Sequence, residues 1–269
     1  MSYSRLYNQV NYTANIPFLI STFIREYDIS KANINVLYKY GVINKKKYDE
    51  LYNMPKYDRE VYVGNMERRD KKITEIKAKG IKEAKRQLFE TNNIQDDDIL
   101  AIKNDAVFLI NKKAVHTKFD NIEFIEKNIY TSFYRLNNNR LEIYYGYDDF
   151  TGMENIDIKG IKDQYLYKHK DYFLSFLLDV FQMAERDIVD NVINMIGQFY
   201  ELYISRQLEP DFYRIFDLEC TYMITTKSGK AYYPDFIEPK YLNSIDISCN
   251  MNIIRELWGI MSKIKLKNL

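Results

Sequence analysis

The chain has 269 residues and a formal net charge of +1 at pH 7, because 39 Lys or Arg residues balance 38 Asp or Glu residues. A hydrophobic fraction of 46% predicts a sizeable core. No apolar run is long enough to cross a bilayer, and the first residues show no signal-peptide pattern. The two Cys and two His residues do not have the spacing of a zinc site. We therefore expect a cytoplasmic protein with free thiols.

The near-zero net charge conceals an uneven distribution along the chain. Residues 39–90 contain fifteen Lys or Arg against nine acidic residues, whereas residues 171–219 contain three Arg against ten acidic residues. Such a split indicates that one part of the protein contacts an anion while another contacts a protein or water. Two complementary faces of one fold would give the same pattern, so both explanations stay open.

The first predicted elements are a strand that ends near Asp28 and a helix that follows at once. Ser30 is placed to cap this helix, and Gly41 supplies its end. A second short helix is expected at Tyr48–Tyr52, before Pro55. These elements place Asp28 at the end of a strand, directly before a helix.

The clearest helix is predicted over Lys71–Glu90. Its apolar residues lie near one stripe and its basic residues occupy the other faces, which is typical of an amphipathic helix. Gly80 lies in its middle and costs about 1 kcal/mol relative to Ala in a helix interior. We therefore expect another backbone segment to approach the helix closely at Gly80.

One apolar stretch, Ile99–Ile110, contains an acid. Two apolar runs flank Lys103-Asn104-Asp105, which fits either one long strand or two strands joined as a hairpin. In either case the flanks would bury Asp105, and a buried carboxylate is costly unless it is paired, hydrogen-bonded or bound to a metal. Asp105 is therefore a candidate functional residue, although an Asp between two apolar runs is also a common turn residue.

The rest of the chain is predicted as strands followed mainly by helices. The expected elements are strands at Asn121–Ile125, Ile129–Leu136 and Arg140–Tyr147, helices within Tyr172–Leu208, a strand at Phe212–Ile224, a hairpin at Thr225–Tyr233 and a helix at Asn252–Ile264. The predicted fold class is α+β. A small mixed or antiparallel sheet with helices forms a first domain, residues 1–165, and a helix-rich second domain spans residues 166–269.

Asp28 and Asp105 occur in an order that resembles a known arrangement. A strand-end Asp is followed by a helix, and a later helix leads into a β element with a second Asp. This order resembles the palm of template-directed nucleic-acid polymerases, in particular viral and phage DNA polymerases of the B type, over residues 20–160. The resemblance implies that residues 1–165 are palm-like and that the helices of residues 166–269 are thumb-like.

The resemblance implies that Asp28 and Asp105 are catalytic residues that hold magnesium for nucleotidyl transfer on a DNA template. Such chemistry uses two ions roughly 4 Å apart, and carboxylates on adjacent strands hold hard cations rigidly. Lys103-Asn104-Asp105 lacks the paired acids of the family's Asp-Thr-Asp, and Asp28-Ile29-Ser30 lacks its Ser-Leu-Tyr-Pro. A degenerate palm or one part of a split polymerase is therefore implied. An Asp at a helix start is also commonly a simple cap.

The basic segment from Lys45 to Arg86 is a candidate phosphate-binding surface, and its interleaved tyrosines are suited to stack on bases. We predict that nucleic-acid contacts come from Arg68, Arg69, Lys72, Lys79, Lys82, Lys85 and Arg86. A solvated helical face, in a chain rich in Lys and Tyr throughout, is an equally good explanation.

Two functional hypotheses follow from these observations. In the first, the chain is a palm-like subunit of a phage or viral polymerase that binds magnesium and DNA, and works with other replication subunits in the host cytoplasm. In the second, it is a non-enzymatic phage or viral protein that binds nucleic acid or docks on a protein partner through its acidic half. The first hypothesis requires both acids within a few ångströms in an open cleft, whereas the second requires only a basic surface or an exposed apolar patch.

Overall fold

The computed structural model describes residues 3–136, 141–147, 151–160, 173–186, 188–205, 207, 224–225, 231–232 and 257–263. Its contacts divide the chain into two units, of which the first comprises residues 1–15 and 22–129 and the second residues 16–21 and 130–269. Among the described residues, no helix combines the length and apolar character needed to span a membrane. Helices and antiparallel sheets both occur, which confirms the predicted α+β class.

The regular elements are numbered in chain order. They are β1 (Asn11–Thr13), β2 (Phe18–Leu19), β3 (Ile24–Ile29), α1 (Ala32–Lys39), α2 (Lys45–Tyr52), α3 (Lys56–Arg69), α4 (Lys71–Thr91), β4 (Ile99–Lys103), β5 (Ala106–Ile110), β6 (Lys118–Phe119), β7 (Ile122–Tyr130), β8 (Ser132–Leu136), β9 (Leu141–Tyr147), β10 (Glu154–Lys159), α5 (Phe173–Glu185), α6 (Val189–Ile204), β11 (Ile224–Thr225) and β12 (Ala231–Tyr232). Residues 257–263 are also helical.

The first unit is built on a six-stranded sheet with the order β1-β4-β5-β3-β7-β6. β4 and β5 form an antiparallel hairpin, and β5 pairs antiparallel with β3. β3 and β4 therefore run in the same direction, and the helices α1 to α4 connect them. One face of the sheet packs against α1 and α4 in a core that includes Tyr27, Val36, Leu88 and Val107.

The β4–β5 hairpin resolves one question that the sequence left open. Lys103 pairs with Ala106, so that Asn104 and Asp105 form a two-residue turn. Asn104 has a φ of 55°, and a positive φ at the first central residue is typical of two-residue hairpin turns and is tolerated by Asn better than by most residues. Ile99–Ile110 is therefore two strands, with Asp105 at the bend.

The helix predicted over Lys71–Glu90 is confirmed as α4. The Asp70 carboxylate caps it by accepting a hydrogen bond of 2.9 Å from the Lys72 backbone N–H. Gly80 marks a close approach, as expected, but the neighbour is a set of side chains of α1 rather than another backbone: a methyl group at Gly80 would collide with Val36 and lie 3.1 Å from Tyr40 Cε2. The absent side chain is what lets α1 and α4 pack together.

The start of α1 differs from the prediction. Ser30 does not cap the helix; Lys31 precedes it with a φ of 48°, and no side chain caps its first turn. The Ser30 backbone has other partners: its N–H donates to the Glu123 carbonyl at 2.9 Å, and its carbonyl accepts from the Asn35 side-chain amide at 2.6 Å. α3 was not predicted at all, because only Arg59 and Val63 are buried along its fourteen residues and so few buried positions leave no apolar stripe to recognise.

The second unit contains a four-stranded sheet with the order β10-β9-β8-β2, and its neighbours pair antiparallel. β8–β10 share a core with α5, α6 and residues 257–263, in which Tyr134 stacks on Phe181 at 4.5 Å between ring centroids. The domain boundary near residue 165 stays a prediction. The contacts place β8–β10 in the second unit together with α5 and α6, because these strands supply the surface on which the helices pack.

Several predicted elements of the second half can be compared only in part. Two helices occur within Tyr172–Leu208, and β11 pairs antiparallel with β12 inside the predicted hairpin. Residues 137–140, 208–223, 226–230, 233–256 and 264–269 lie outside the described residues, and with them most of the strand predicted at Phe212–Ile224 and part of the closing helix.

Gly80→Ala tests the contact between α1 and α4. The added methyl group meets Val36 and Tyr40, and overpacking of this kind costs about 1–3 kcal/mol, which exceeds the gain in helix propensity of about 1 kcal/mol. We expect a lower free energy of unfolding in urea titrations. The matched control is Gly64→Ala in α3, where no described atom lies within 4 Å of the new methyl group and stability should rise. Equal changes for both variants would contradict the proposed packing.

Candidate functional site

Asp28 lies near the end of β3, on the face of the sheet opposite to Tyr27 and Ile29, because side chains alternate along a strand. Its side chain is 29% exposed, and the Lys127 ammonium of β7 lies 3.8 Å from its carboxylate. Lys127 is itself 50% exposed, so the pair contributes little to stability. The structure therefore leaves the Asp28 carboxylate reachable from solvent.

The pairing of β3 with β5 brings Asp28 and Asp105 towards each other. Tyr27 pairs with Val107, so the end of β3 lies beside the β4–β5 turn. Asp105 is half-buried there, and the Asn104 side-chain amide donates a hydrogen bond of 3.3 Å to its carboxylate. The strand-end acid and the hairpin acid that the sequence singled out are therefore neighbours in the first unit.

The Asp105 carboxyl is destabilised in its charged form. Burial raises its pKa above the ordinary value, and the negative charge of Asp28 raises it further. The backbone N–H of Asp105 and the Lys85 ammonium act in the opposite direction, and Glu60 of α3 adds a smaller repulsion. Burial and the neighbouring carboxylates thus outweigh the groups that favour the charged form of Asp105.

Lys85 is the residue at this site whose environment the sequence did not reveal. Its side chain is 2% exposed, and the ammonium donates hydrogen bonds to the backbone carbonyls of Gln9, at 2.7 Å, and Asn104, at 2.9 Å. Burial lowers its pKa to about 8. A signal existed in the sequence, since Lys85 lies four residues from both Ile81 and Phe89 and so falls on the apolar stripe of α4.

The other predicted phosphate contacts lie on the surface of α3 and α4. Arg68, Arg69, Lys72, Lys79 and Lys82 are exposed. Among the described residues, no carboxylate lies within ion-pair distance of any of these five side chains.

Arg86 differs from this exposed group, since its guanidinium contacts Glu83 at 2.7 Å and Glu90 at 2.5 Å. Its charge is therefore compensated within α4. The tyrosines predicted to stack on bases pack largely against protein: Tyr48 stacks on Tyr38 at 4.5 Å between ring centroids, while Tyr57 is 78% exposed.

No described group of three or more His, Cys, Asp or Glu residues is arranged to hold a metal ion. The site thus consists of two neighbouring carboxylates, Asp28 and Asp105, with the Lys127 and Lys85 ammonium groups beside them. Such an arrangement can bind a cation only where other ligands complete the coordination. Without a cation, the two ammonium groups can balance the charges of the two carboxylates.

Asp105→Asn should stabilise the protein at neutral pH. Because the folded-state pKa of Asp105 is raised, its charged form lowers the free energy of unfolding above that pKa. This destabilisation disappears at pH values below the pKa of Asp in the unfolded chain, about 3.9. We expect the variant to be more stable than the parent at pH 7 and the difference to shrink as the pH falls towards 3.9, measured by urea unfolding. Asp97→Asn, at an exposed acid, is the control; a destabilised Asp105→Asn variant at pH 7 would contradict the charge balance described above.

The comparisons with known proteins give a family but no activity. No curated protein matches the chain. Residues 1–263 match the family described as "Bacteriophage PBS1 gene 130 protein", which agrees with the phage origin that the resemblance implied and carries no statement about polymerase activity. Since the match covers almost the whole chain, this protein belongs to the bacteriophage PBS1 gene 130 protein family.

Proposed function

We propose that this phage protein is a palm-like nucleotidyltransferase unit, in which Asp28 and Asp105 hold magnesium while the basic surface of α3 and α4 holds a DNA strand. The observation that carries the proposal is the proximity of a strand-end acid and a hairpin acid on paired strands, β3 and β5. The strand order β4-β5-β3-β7 supports it because β3, which carries Asp28, lies beside β5 and the β4–β5 turn that carries Asp105.

The two carboxylates fit a magnesium ion in number and charge. Mg²⁺ keeps several waters and is commonly bound by one or two carboxylates together with substrate phosphates, so two acids suffice if the substrate completes the shell. The raised pKa of Asp105 supports a cation site, because the ion would offset the repulsion from Asp28. When bound, magnesium would activate the attacking hydroxyl and stabilise the leaving phosphate.

The side chains proposed to contact the strand are the exposed cations Arg68, Arg69, Lys72, Lys79 and Lys82. Exposed cations without a carboxylate partner can exchange their counterions for phosphates, which is the main source of nucleic-acid affinity. We leave Lys85 out of the strand-contacting set because its side chain is buried and two of its three ammonium donors are used by backbone carbonyls. Arg86 is left out because Glu83 and Glu90 already compensate it.

A second candidate is a non-enzymatic phage protein that binds nucleic acid or a protein partner. It is favoured by the lysines beside the acids, since Lys127 contacts Asp28 and Lys85 partly compensates Asp105. Acids that already have such partners need no metal. The two candidates share the basic surface and differ in whether the acid pair binds a cation.

Manganese binding separates the two candidates. If the acid pair holds a divalent cation, the parent binds Mn²⁺ saturably, and Asp105→Asn weakens binding by at least about tenfold, since even outer-shell partners of a metal contribute that much. Lys127→Ala should strengthen binding, because its ammonium competes for Asp28. Calorimetric titration measures all three affinities.

Asp97→Asn, which removes an exposed acid elsewhere in the first unit, is the control for the loss of one negative charge. Saturable Mn²⁺ binding that Asp105→Asn abolishes would then justify a primer-extension assay. A parent protein that binds no Mn²⁺, or an Asp105→Asn variant that binds it unchanged, would leave only the non-enzymatic candidate.

The basic surface can be tested independently of the metal. Replacing Arg68 and Arg69 together by Ala should weaken binding to a single-stranded DNA oligonucleotide. It should also reduce the magnitude of the slope of log K against log salt concentration by about 1.4, which corresponds to two lost phosphate contacts. Fluorescence anisotropy at salt concentrations from about 50 to about 200 mM measures the slope. The control removes two exposed charges elsewhere, Lys113 and Lys118; an equal loss in this control would show that net charge alone is responsible.

A further inference from the structure

A recess of about 420 Å³ lies in the first unit, between the N-terminal segment, α4 and the β4–β5 turn. Its walls come from three separate parts of the chain, which are Asn8, Gln9, Val10, Ala78, Lys79, Ile81, Lys82, Lys85 and Asn104. The walls are fixed to each other by backbone contacts: the Asn104 N–H donates to the Val10 carbonyl at 2.7 Å, and Lys85 bonds both Gln9 and Asn104. The recess is therefore built into the fold.

The polar side of the recess is strongly cationic. Lys79, Lys82 and Lys85 follow each other at intervals of three residues along α4, and no acidic residue is among the nine that line the recess. An ammonium group has three donors, and two of those on Lys85 are used by carbonyls, which leaves one. Asn8, Gln9 and Asn104 are the other polar residues of the lining.

Three of the residues that line the recess, Val10, Ala78 and Ile81, are apolar. The volume of the recess lies within the range of about 300–1,000 Å³ that is usual for small-molecule sites. A recess of this size can hold one group with an anionic end and a flat apolar body. A single nucleotide combines these properties.

We propose that this recess binds the phosphate monoester of a nucleotide, with the phosphate at Lys79, Lys82 and Lys85 and the nucleoside against Val10, Ala78 and Ile81. The proposal deepens the nucleic-acid function proposed above, and it rests on that function only for the class of ligand. No carboxylate lines the recess, so the lysines alone neutralise the phosphate and no metal ion takes part. The source of the phosphate is either a free nucleotide or the 5′ end of a strand.

The test is a titration of the metal-free full-length chain with adenosine monophosphate and, separately, with inorganic phosphate, followed by the backbone amide signals of Asn8, Gln9 and Asn104 in NMR spectra. We expect both ligands to shift these signals saturably and the nucleotide to bind more tightly. Lys82→Ala should weaken nucleotide binding at least tenfold. Lys71→Ala removes the same charge from an exposed position of α4 outside the recess and should leave the affinity within twofold.

The source of the phosphate is decided by two oligonucleotides of the same sequence, one with a 5′ phosphate and one with a 5′ hydroxyl. A Lys82-dependent preference for the phosphorylated strand identifies a strand end, and equal binding of both, with retained nucleotide binding, identifies a free nucleotide. The proposal is overturned if neither phosphate nor nucleotide shifts the three amides, or if Lys71→Ala and Lys82→Ala weaken binding equally. Since no metal is present, these failures leave the Mn²⁺ titration and the role of Asp28 and Asp105 untouched.

Discussion

The buried ammonium of Lys85 is the interaction on which the architecture around the site depends. Through it α4 holds the N-terminal segment at Gln9 and the β4–β5 turn at Asn104. A buried charge is costly unless several hydrogen bonds satisfy it. The pKa of Lys85 is lowered because burial disfavours its charged form. Its replacement would leave two carbonyls without a donor, which is usually more damaging than the loss of an exposed ion pair.

The same ammonium ties the recess to the acid pair. Lys85 partly compensates Asp105 and also forms one wall of the recess. A phosphate bound beside Lys85 would favour its charged form, and the charged form in turn favours an ionised Asp105. Anion binding on one side of the β4–β5 turn and cation binding on the other are therefore expected to support each other electrostatically.

Local pattern was enough to predict some parts of this structure and not others. The α+β class, the α4 helix and the position of Asp105 inside an apolar β stretch follow from periodicity and turn chemistry, which act over a few residues. The sequence alone leaves open whether that stretch is one strand or a hairpin. The extent of α3 does not follow from local pattern, because so few of its residues are buried that no apolar stripe marks it. The hydrogen-bond partners of Lys85 do not either, because they lie on segments distant in the chain. The carbonyl of Gln9, which satisfies Lys85, lies 76 residues away, and no local pattern in α4 indicates it.

The balance between lysines and carboxylates determines which of the two proposed functions the site can perform. Lys127 contacts Asp28 from an exposed position at 3.8 Å, a distance at which the attraction is weak and screened by salt, so a divalent cation would displace it at small cost. Lys85 cannot be displaced, because it is buried and bonded to the backbone. A cation bound by both carboxylates would therefore displace Lys127 from Asp28 and leave Lys85 in place beside Asp105.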